Sequence, residues 1–171
     1  MTATIRALRP DEVELIPAIE RDAAARFREV GLDAIADGSV SSEAFIRAVM
    51  AKGAALVAEF EGTLVGFALA GVLDDALHLY ELSVATAHHG RGVGGALLAA
   101  LDSEAERRLL PAVTLSTFAD VPFNGPFYAR RGFVPVEPSD WGPAFHLLHG
   151  AELTAGIPVE RRVFMRKEIA R

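Results

Sequence analysis

The chain has 171 residues, 51% of them hydrophobic, and carries a formal charge of −6 from 17 basic and 23 acidic side chains. This charge argues against a general nucleic-acid-binding face, and no apolar run reaches the ~18 residues that a membrane span needs. The absence of cysteine excludes disulfides, thiolate nucleophiles and zinc–sulfur sites. Residues Met1–Arg6 lack the apolar segment of a secretory signal. We therefore expect a single cytoplasmic domain over residues 1–171, without nucleic-acid or membrane partners.

The first quarter of the chain predicts a strand and a helix. Alternating apolar residues over Thr4–Arg9 indicate the strand. An apolar stripe at helical spacing from Ile16 to Val30 indicates the helix, which kinks or restarts at Pro17. Gly31 is a suitable end for this helix, and the segment 32–40 is expected to be a loop.

A second helix and three strands follow. Ser41 or Ser42 caps this helix, whose inner face is expected to carry Phe45, Ile46 and Val49. The strands are expected at Ala55–Phe60, Thr63–Gly71 and Leu77–Val84, joined by turns at Glu61-Gly62 and Asp74-Asp75.

The strand Leu77–Val84, the glycine-rich turn Gly90–Gly95 and the next helix form the most informative stretch. The strand alternation is imperfect, which leaves room for a β-bulge near Glu81. From Val93, within this turn, four apolar residues recur at helical spacing: Val93, Leu97, Leu101 and Ala105. Glycines at a helix N-terminus leave backbone N–H groups uncovered where positive charge is concentrated, which favours a phosphate or pyrophosphate ligand.

The glycine turn matches a phosphate-binding template for dinucleotides. Gly90, Gly92 and Gly95 fit the dinucleotide fingerprint G-x-G-x-x-G. That fingerprint normally follows the first strand of a βαβ unit and precedes an acidic residue by about 20 positions. Here the turn comes late, and the next strand, Ala112–Thr117, has no acidic residue. A nicotinamide dehydrogenase is therefore kept only as an alternative.

The C-terminal part predicts further helices and strands. Asp120 and Pro122 are expected to begin a helix that runs to Arg131. Strands are expected at Phe133–Pro135 and Arg161–Ile169, whereas Phe145–Leu153 fits either a strand or a helix. The element order indicates a mixed α/β sheet and not a regular doubly wound one.

Two motifs give this chain a family resemblance. The segment His89-Gly90-Arg91-Gly92-Val93-Gly94 resembles the (Gln/Arg)-x-x-Gly-x-(Gly/Ala) signature of the GCN5-related N-acetyltransferases, the GNAT superfamily, with His89 in place of Gln or Arg. The segment Asn124–Phe133 resembles the second element of that family, an Asn followed by Phe-Tyr and Gly-Phe. The resemblance implies an α/β (α+β) GNAT-like acyl-CoA N-acyltransferase fold, with a central, mostly antiparallel sheet flanked by helices.

The resemblance also implies an acyltransferase that moves an acetyl group from acetyl-CoA to a primary amine by direct attack. Tyr128 is then the acid that protonates the leaving thiolate, and Glu81 is the base, directly or through water. Asn124 and Tyr128, four residues apart, are expected on one helix face. The expected coenzyme-binding residues are Leu82, Ser83, Val84, His89, Gly90, Arg91, Gly92, Val93, Gly94, Gly95, Asn124 and Tyr128.

The amine acceptor is not legible from the sequence and is expected to be a small molecule or a peptide. Acceptor-side residues are expected in segments 20–45, Val72–Ala76 and 136–160. Neither His88-His89 nor His146 with His149 has the further ligands of a metal site, so no metal is expected. Homodimers are common in this family. A non-catalytic module that senses acetyl-CoA remains a second alternative.

Overall fold

The computed structural model describes residues 2–170, which contain seven strands in one mixed sheet, in the order β1-β2-β3-β4-β5-β7-β6. Residues cluster into two compact units: one extends to Gly71 and includes Tyr80–Glu104, and the other combines Val72–Leu79 with the chain from Ala105 onward. The single domain expected over 1–171 stays a prediction. No helix within residues 2–170 has the length and apolarity to cross a membrane.

The first unit begins with β1 and ends in the helix after the glycine turn. Its elements are β1 (Thr4–Ala7), α1 (Ile16–Ala24), α2 (Asp33–Ala36), α3 (Glu43–Lys52), β2 (Ala54–Phe60), β3 (Thr63–Leu73, to Gly71), the end of β4 (Ala76–Val84) and most of α4 (Val93–Arg107). Short 3-10 helices at Pro10–Leu15 and Ala25–Val30 flank α1. Strands β1–β2 and β2–β3 pair antiparallel.

Local sequence signals in this unit are confirmed at several boundaries. The 3-10 segment gives way to α-helix at Ile16, just before Pro17, as the restart alternative predicts. Gly31 ends the following 3-10 helix with a φ of +73°. Ser42 Oγ accepts a hydrogen bond from Phe45 N at 3.2 Å and caps α3.

A buried apolar cluster joins the helices and strands of this unit. Ile16 and Ile46 from the helices pack with Phe67 and Leu69 of β3, and all four side chains are fully buried. Phe45 does not join them: it is 38% exposed, so its predicted place on the inner face of α3 is wrong. The expected loop 32–40 also differs, because one turn of helix, α2, forms within it.

The second unit is built on a parallel pair and two antiparallel ladders. Its elements are the start of β4, the end of α4, β5 (Ala112–Phe118), α5 (Gly125–Ala129), β6 (Val134–Pro135), α6 (Pro143–Thr154) and β7 (Arg162–Glu168). Leu77–Leu79 pair in parallel with Val113–Leu115. Strand β7 pairs antiparallel with β5 and β6. The mostly antiparallel mixed sheet is thus confirmed.

In this unit one prediction is corrected and one ambiguity is resolved. Asp120 does not start a helix: its carboxylate accepts hydrogen bonds from Arg161, as close as 3.0 Å, and α5 begins only at Gly125. The ambiguous segment Phe145–Leu153 lies within helix α6. Phe145 on this helix stacks against Phe164 of β7, with ring centroids 4.2 Å apart.

Candidate functional site

Hydrogen bonds hold the connection between β4 and the glycine turn in a defined shape. Thr86 N donates to Asp22 Oδ2 at 2.6 Å, which ties the connection to α1. His89 Nε2–H donates to the Val84 carbonyl at 2.7 Å, which fixes the imidazole tautomer and joins the turn to the end of the strand. His89, which replaces the family Gln or Arg, therefore supports the turn from its strand side.

The glycine turn is open on its outer surface. Gly90 and Gly92 adopt φ values of +72° and +81°, a left-handed conformation that glycine enters without steric cost. A Cβ built on either residue would meet no atom within 4 Å. Gly90, Arg91 and Gly92 are all exposed. A ligand can thus approach the main chain of this turn closely.

The turn leads directly into the positive end of α4. Ala96 N donates to the Gly92 carbonyl at 3.0 Å, so Val93, Gly94 and Gly95 form the first turn of a 15-residue helix. The N–H groups of a first turn have no partner within their helix, and the macrodipole concentrates positive charge there. No acidic side chain occupies this turn. These features suit a phosphate group.

Strand β4 changes the side on which its residues pack, between Tyr80 and Val84. Tyr80 packs with the cluster that includes Phe67 of β3. Val84 lies on the side to which a Cβ of Gly66 would point, because that Cβ would be 3.4 Å from Val84 Cγ2 and 3.4 Å from Leu97 Cδ1 of α4. Gly66 and Phe67 are consecutive in a regular ladder and therefore face opposite ways. Residues four apart in a regular strand would share a face, so this change agrees with the bulge predicted near Glu81.

Glu81 and Ser83 are joined within this irregular part of the strand. Ser83 Oγ–H donates to Glu81 Oε1 at 2.7 Å. Ser83 is buried, with 5% of its surface exposed, whereas Glu81 is half-buried. This hydrogen bond therefore holds the Glu81 carboxylate in one orientation on β4.

In the second unit, Asn124 and Tyr128 occupy the short helix α5. Asn124 is the N-cap, with non-helical dihedral angles, and its side chain donates to the Phe123 carbonyl at 3.0 Å. Asn124 thus lies just before α5, and Tyr128 N donates to its carbonyl at 3.0 Å. The common helix face of the two side chains stays a prediction. Tyr128 is 8% exposed, and its ring packs edge-on against Phe127 and Phe133.

Gly125 explains how α5 starts so abruptly. A Cβ at this position would lie 2.5 Å from the Ala119 carbonyl oxygen, so only glycine lets the two backbones approach. The result is a tight loop from the end of β5 into the helix that carries Tyr128. The motif Asn124–Phe133 thus contains a glycine that the backbone requires, as well as the candidate functional side chains of Asn124 and Tyr128.

One polar side chain of β4, His78, is buried beside β5. His78 is 3% exposed, and burial lowers its pKa to about 4, so the imidazole is neutral at pH 7. Its Nδ1 lies 2.9 Å from Thr114 Oγ1 on β5. Within residues 2–170, no three His, Cys, Asp or Glu side chains are grouped so that they could hold a metal ion.

The predicted site residues thus separate into two groups. The first unit brings together Glu81, Leu82, Ser83 and Val84 at the end of β4, and His89–Gly95 after it. The second unit holds Asn124 and Tyr128. Sequence reasoning missed Asp22, because its contact with Thr86 joins residues 64 positions apart and no local pattern signals it.

The region of the chain that contains these motifs matches a known protein family. Residues 51–135 match the model described as "Acetyltransferase (GNAT) domain". The matched range contains the glycine turn and both candidate catalytic residues, Glu81 and Tyr128.

Solved structures share the fold at low sequence identity. N-acetylglutamate synthase from Neisseria gonorrhoeae, complexed with coenzyme A and N-acetyl-glutamate, matches with a TM-score of 0.75 and 17% identity over 100% of this chain and 36% of its own. PaiA N-acetyltransferase from Thermoplasma acidophilum, in complex with coenzyme A, gives 0.72 and 15% over 98% and 99% of the two chains. The Escherichia coli ribosomal-protein-S18-alanine N-acetyltransferase gives 0.68 and 18% over 99% and 95%. The chain thus spans about a third of the first of these proteins and nearly all of the others.

Proposed function

Because the chain belongs to the GNAT superfamily of acetyltransferases, we propose that it transfers an acetyl group from acetyl-CoA to a primary amine. The observation that carries this proposal is the exposed turn Gly90–Gly92 at the positive end of α4. Both the pyrophosphate of acetyl-CoA and the phosphates of other nucleotides suit such a site. The family match favours acetyl-CoA, since structures of similar fold are described with coenzyme A.

The residues of the first unit have distinct roles in this proposal. Backbone N–H groups of the turn and of Val93–Gly95 hold the pyrophosphate, and His89 keeps the turn in position through Val84. Main-chain groups of Leu82, Ser83 and Val84 bind the pantetheine arm and the acetyl oxygen, as the family resemblance implies. The open space around Gly90 and Gly92 supports this assignment.

The proposed reaction is a direct displacement. The neutral amine nitrogen attacks the thioester carbonyl carbon, the C–S bond breaks, and the products are the N-acetyl amine and free CoA. A free amine of this kind has a pKa of about 10.4 and is mostly protonated at pH 7. Glu81, held by Ser83, accepts the proton that the amine loses, directly or through water.

Tyr128 supplies a proton to the departing thiolate in this proposal. The phenol of tyrosine has an ordinary pKa of about 10 and the thiol of about 8.5, so the phenol is the weaker acid. Its O–H stabilises the sulfur as the C–S bond breaks, and a proton that it gives up is replaced from water. Packing against Phe127 and Phe133 orients the ring of Tyr128. Asn124 stands at the start of the same helix as a further coenzyme contact.

The experiment that tests this proposal first is calorimetric titration of the purified protein with acetyl-CoA and, separately, with NAD. We expect micromolar binding of acetyl-CoA alone, followed by amine-dependent release of CoA. Binding of acetyl-CoA without turnover on any amine would favour a sensor module. Binding of NAD in its place would restore the dinucleotide alternative, which the mixed sheet does not support.

A further inference from the structure

Phe45 is an aromatic residue that the core of the first unit does not use. Its neighbours on α3, Ile46 and Val49, are 0% and 6% exposed, whereas Phe45 is 38% exposed. Its ring meets Tyr80 of β4 edge-on, with centroids 5.4 Å apart and an interplanar angle of 71°. Edge-to-face pairs of this geometry are favourable and leave ring surface for a further contact.

Gly71 fixes the position of the second ring. A Cβ on Gly71 would lie 2.7 Å from the Tyr80 hydroxyl oxygen, so the tyrosine ring can lie across β3 only because this residue is glycine. Burial raises the pKa of Tyr80, so its phenol is neutral at physiological pH. Phe45 and Tyr80 thus form a fixed, uncharged surface, here called the aromatic wall.

The aromatic wall adjoins the proposed base. Tyr80 directly precedes Glu81. Glu81 and Ser83 are two residues apart and hydrogen-bonded, so both side chains lie on the side of β4 opposite to Val84, which faces α4. Tyr80 lies on this same side, because β4 changes its packing side between Tyr80 and Val84. An amine whose nitrogen is close to Glu81 would therefore have its substituent within reach of the wall. All of these residues belong to the first unit.

Three arginines on the helical segments of the first unit are engaged with protein acceptors. Arg47, on α3 with Phe45, donates to Glu43 Oε1 at 2.7 Å and 2.9 Å. Arg28 pairs with Asp37, and Arg21 donates to the Gly38 carbonyl at 2.5 Å. Because the charges of these three arginines are already compensated, an acceptor with an uncharged apolar substituent is favoured. A carboxylate on the acceptor would need a cation that is not already paired.

We propose that the acceptor is a primary amine with an aromatic or branched apolar substituent and no neighbouring carboxylate, and that this substituent packs on the Phe45–Tyr80 wall. The inference rests on the proposed acetyltransferase function. It makes Phe45 a residue that determines acceptor specificity without taking part in the transfer itself.

The test compares matched amines by CoA release at fixed acetyl-CoA. 2-Phenylethylamine is compared with ethylamine, which lacks the ring, and with phenylalanine, which adds a carboxylate. We expect kcat/KM to be higher for 2-phenylethylamine than for either by at least about tenfold. Phe45→Ala should remove most of this preference and leave the Kd for acetyl-CoA unchanged. Leu109→Ala, which truncates an apolar side chain that is 87% exposed in the turn after α4, is the matched control and should change neither.

The outcomes separate the two proposals. Equal or faster turnover of phenylalanine or ethylamine, or an unaltered preference in Phe45→Ala, would overturn the aromatic acceptor while the acetyltransferase function stands. Binding of acetyl-CoA without transfer to any of the three amines would also overturn it. Failure to bind acetyl-CoA at all would remove the proposed function, and the inference with it.

Discussion

Asp74 Oδ2 accepts a hydrogen bond from Ala144 N at 3.3 Å, so the turn between β3 and β4 caps the first turn of α6. The next residue, Asp75, forms two hydrogen bonds with Arg166 of β7, at 3.0 Å and 3.2 Å. The two acidic residues that the sequence identifies only as a turn therefore hold a helix and a strand of the second unit in place. An acidic group at a helix N-terminus is stabilising through both the hydrogen bond and the macrodipole.

Removal of the Asp74 side chain should destabilise the protein. Asp74 has a φ of +50°, so Asp74→Gly removes the carboxylate without adding backbone strain. We expect a loss of about 1 kcal/mol in the free energy of unfolding, measured with urea. Asp74→Asn keeps an oxygen acceptor and tolerates the same φ, so it should lose less. Equal losses in both variants would mean that the hydrogen bond to Ala144 contributes little.

Gly92→Ala should weaken binding of acetyl-CoA by at least about tenfold, because a methyl group would stand where the phosphates approach the main chain. Gly62 is a matched control, with a φ of +78° and no atom within 4 Å of its Cβ position, but in the β2–β3 turn. Both variants should lose similar stability, and calorimetry should find weaker binding in Gly92→Ala alone. Similar affinities in the two would remove the turn from the binding site.

Ser83→Ala should alter catalysis through Glu81. Without the 2.7 Å hydrogen bond the Glu81 carboxylate loses the partner that orients it. We expect kcat to fall by about tenfold, while KM and the Kd for acetyl-CoA are kept. Glu81→Gln should lower kcat further, and Ser103→Ala, a serine on the exposed side of α4, should leave it unchanged. A kcat unchanged in Ser83→Ala would show that the pair has no role in positioning the base.

Tyr128→Phe should lower kcat by at least about tenfold, because the leaving thiolate loses its proton donor. The ring contacts with Phe127 and Phe133 are kept, so the ring keeps its place and the Kd for acetyl-CoA should change little. Single-turnover rates measured with saturating acetyl-CoA separate the chemical step from product release. Wild-type rates in this variant would take the acid role away from Tyr128.

His78 should make stability depend on pH. Its folded pKa of about 4 lies below the unfolded value of about 6.5, so the unfolded state binds the proton first as pH falls. The contribution of His78 is complete above pH 6.5 and is lost progressively between pH 6.5 and 4, by up to about 1.4 kcal/mol per pH unit. Urea unfolding at pH 7 and pH 5 should show a smaller difference for His78→Gln than for the wild type. An equal difference would assign the pH dependence to other groups.

Local signals predict much of this fold because they act through neighbours in sequence. The cap at Ser42, the glycine end at Gly31 and the turn at Asp74-Asp75 each involve residues a few positions apart, and the four-residue spacing from Val93 to Ala105 marks a buried stripe. Segments shaped by distant partners were harder to predict. Asp120 has the chemistry of a helix cap, but Arg161, 41 positions away, binds it.

The residues of the candidate site also separate into those that local sequence signals predict and those that depend on contacts with distant residues. The glycine turn is visible as a motif, because a phosphate site requires glycines at that spacing. Glu81 is identified by its place in the strand, beside the expected bulge. The hydrogen bond from Thr86 to Asp22 and the exposed ring of Phe45 depend on how helices pack against strands, which periodicity alone does not specify. Phe45 in particular fits the apolar stripe of α3, although its contact is with Tyr80 at the margin of the core.

The change in the packing side of β4 between Tyr80 and Val84 also determines which residue the chain could lose during evolution. Tyr80 and Val84 would still face opposite ways in a regular strand one residue shorter, so packing alone does not require the extra residue. The predicted bulge instead falls in the segment that holds Glu81 and Ser83, which are joined by a hydrogen bond. Descendants of this chain released from selection for catalysis could therefore lose one residue between positions 80 and 84 and keep their hydrophobic core.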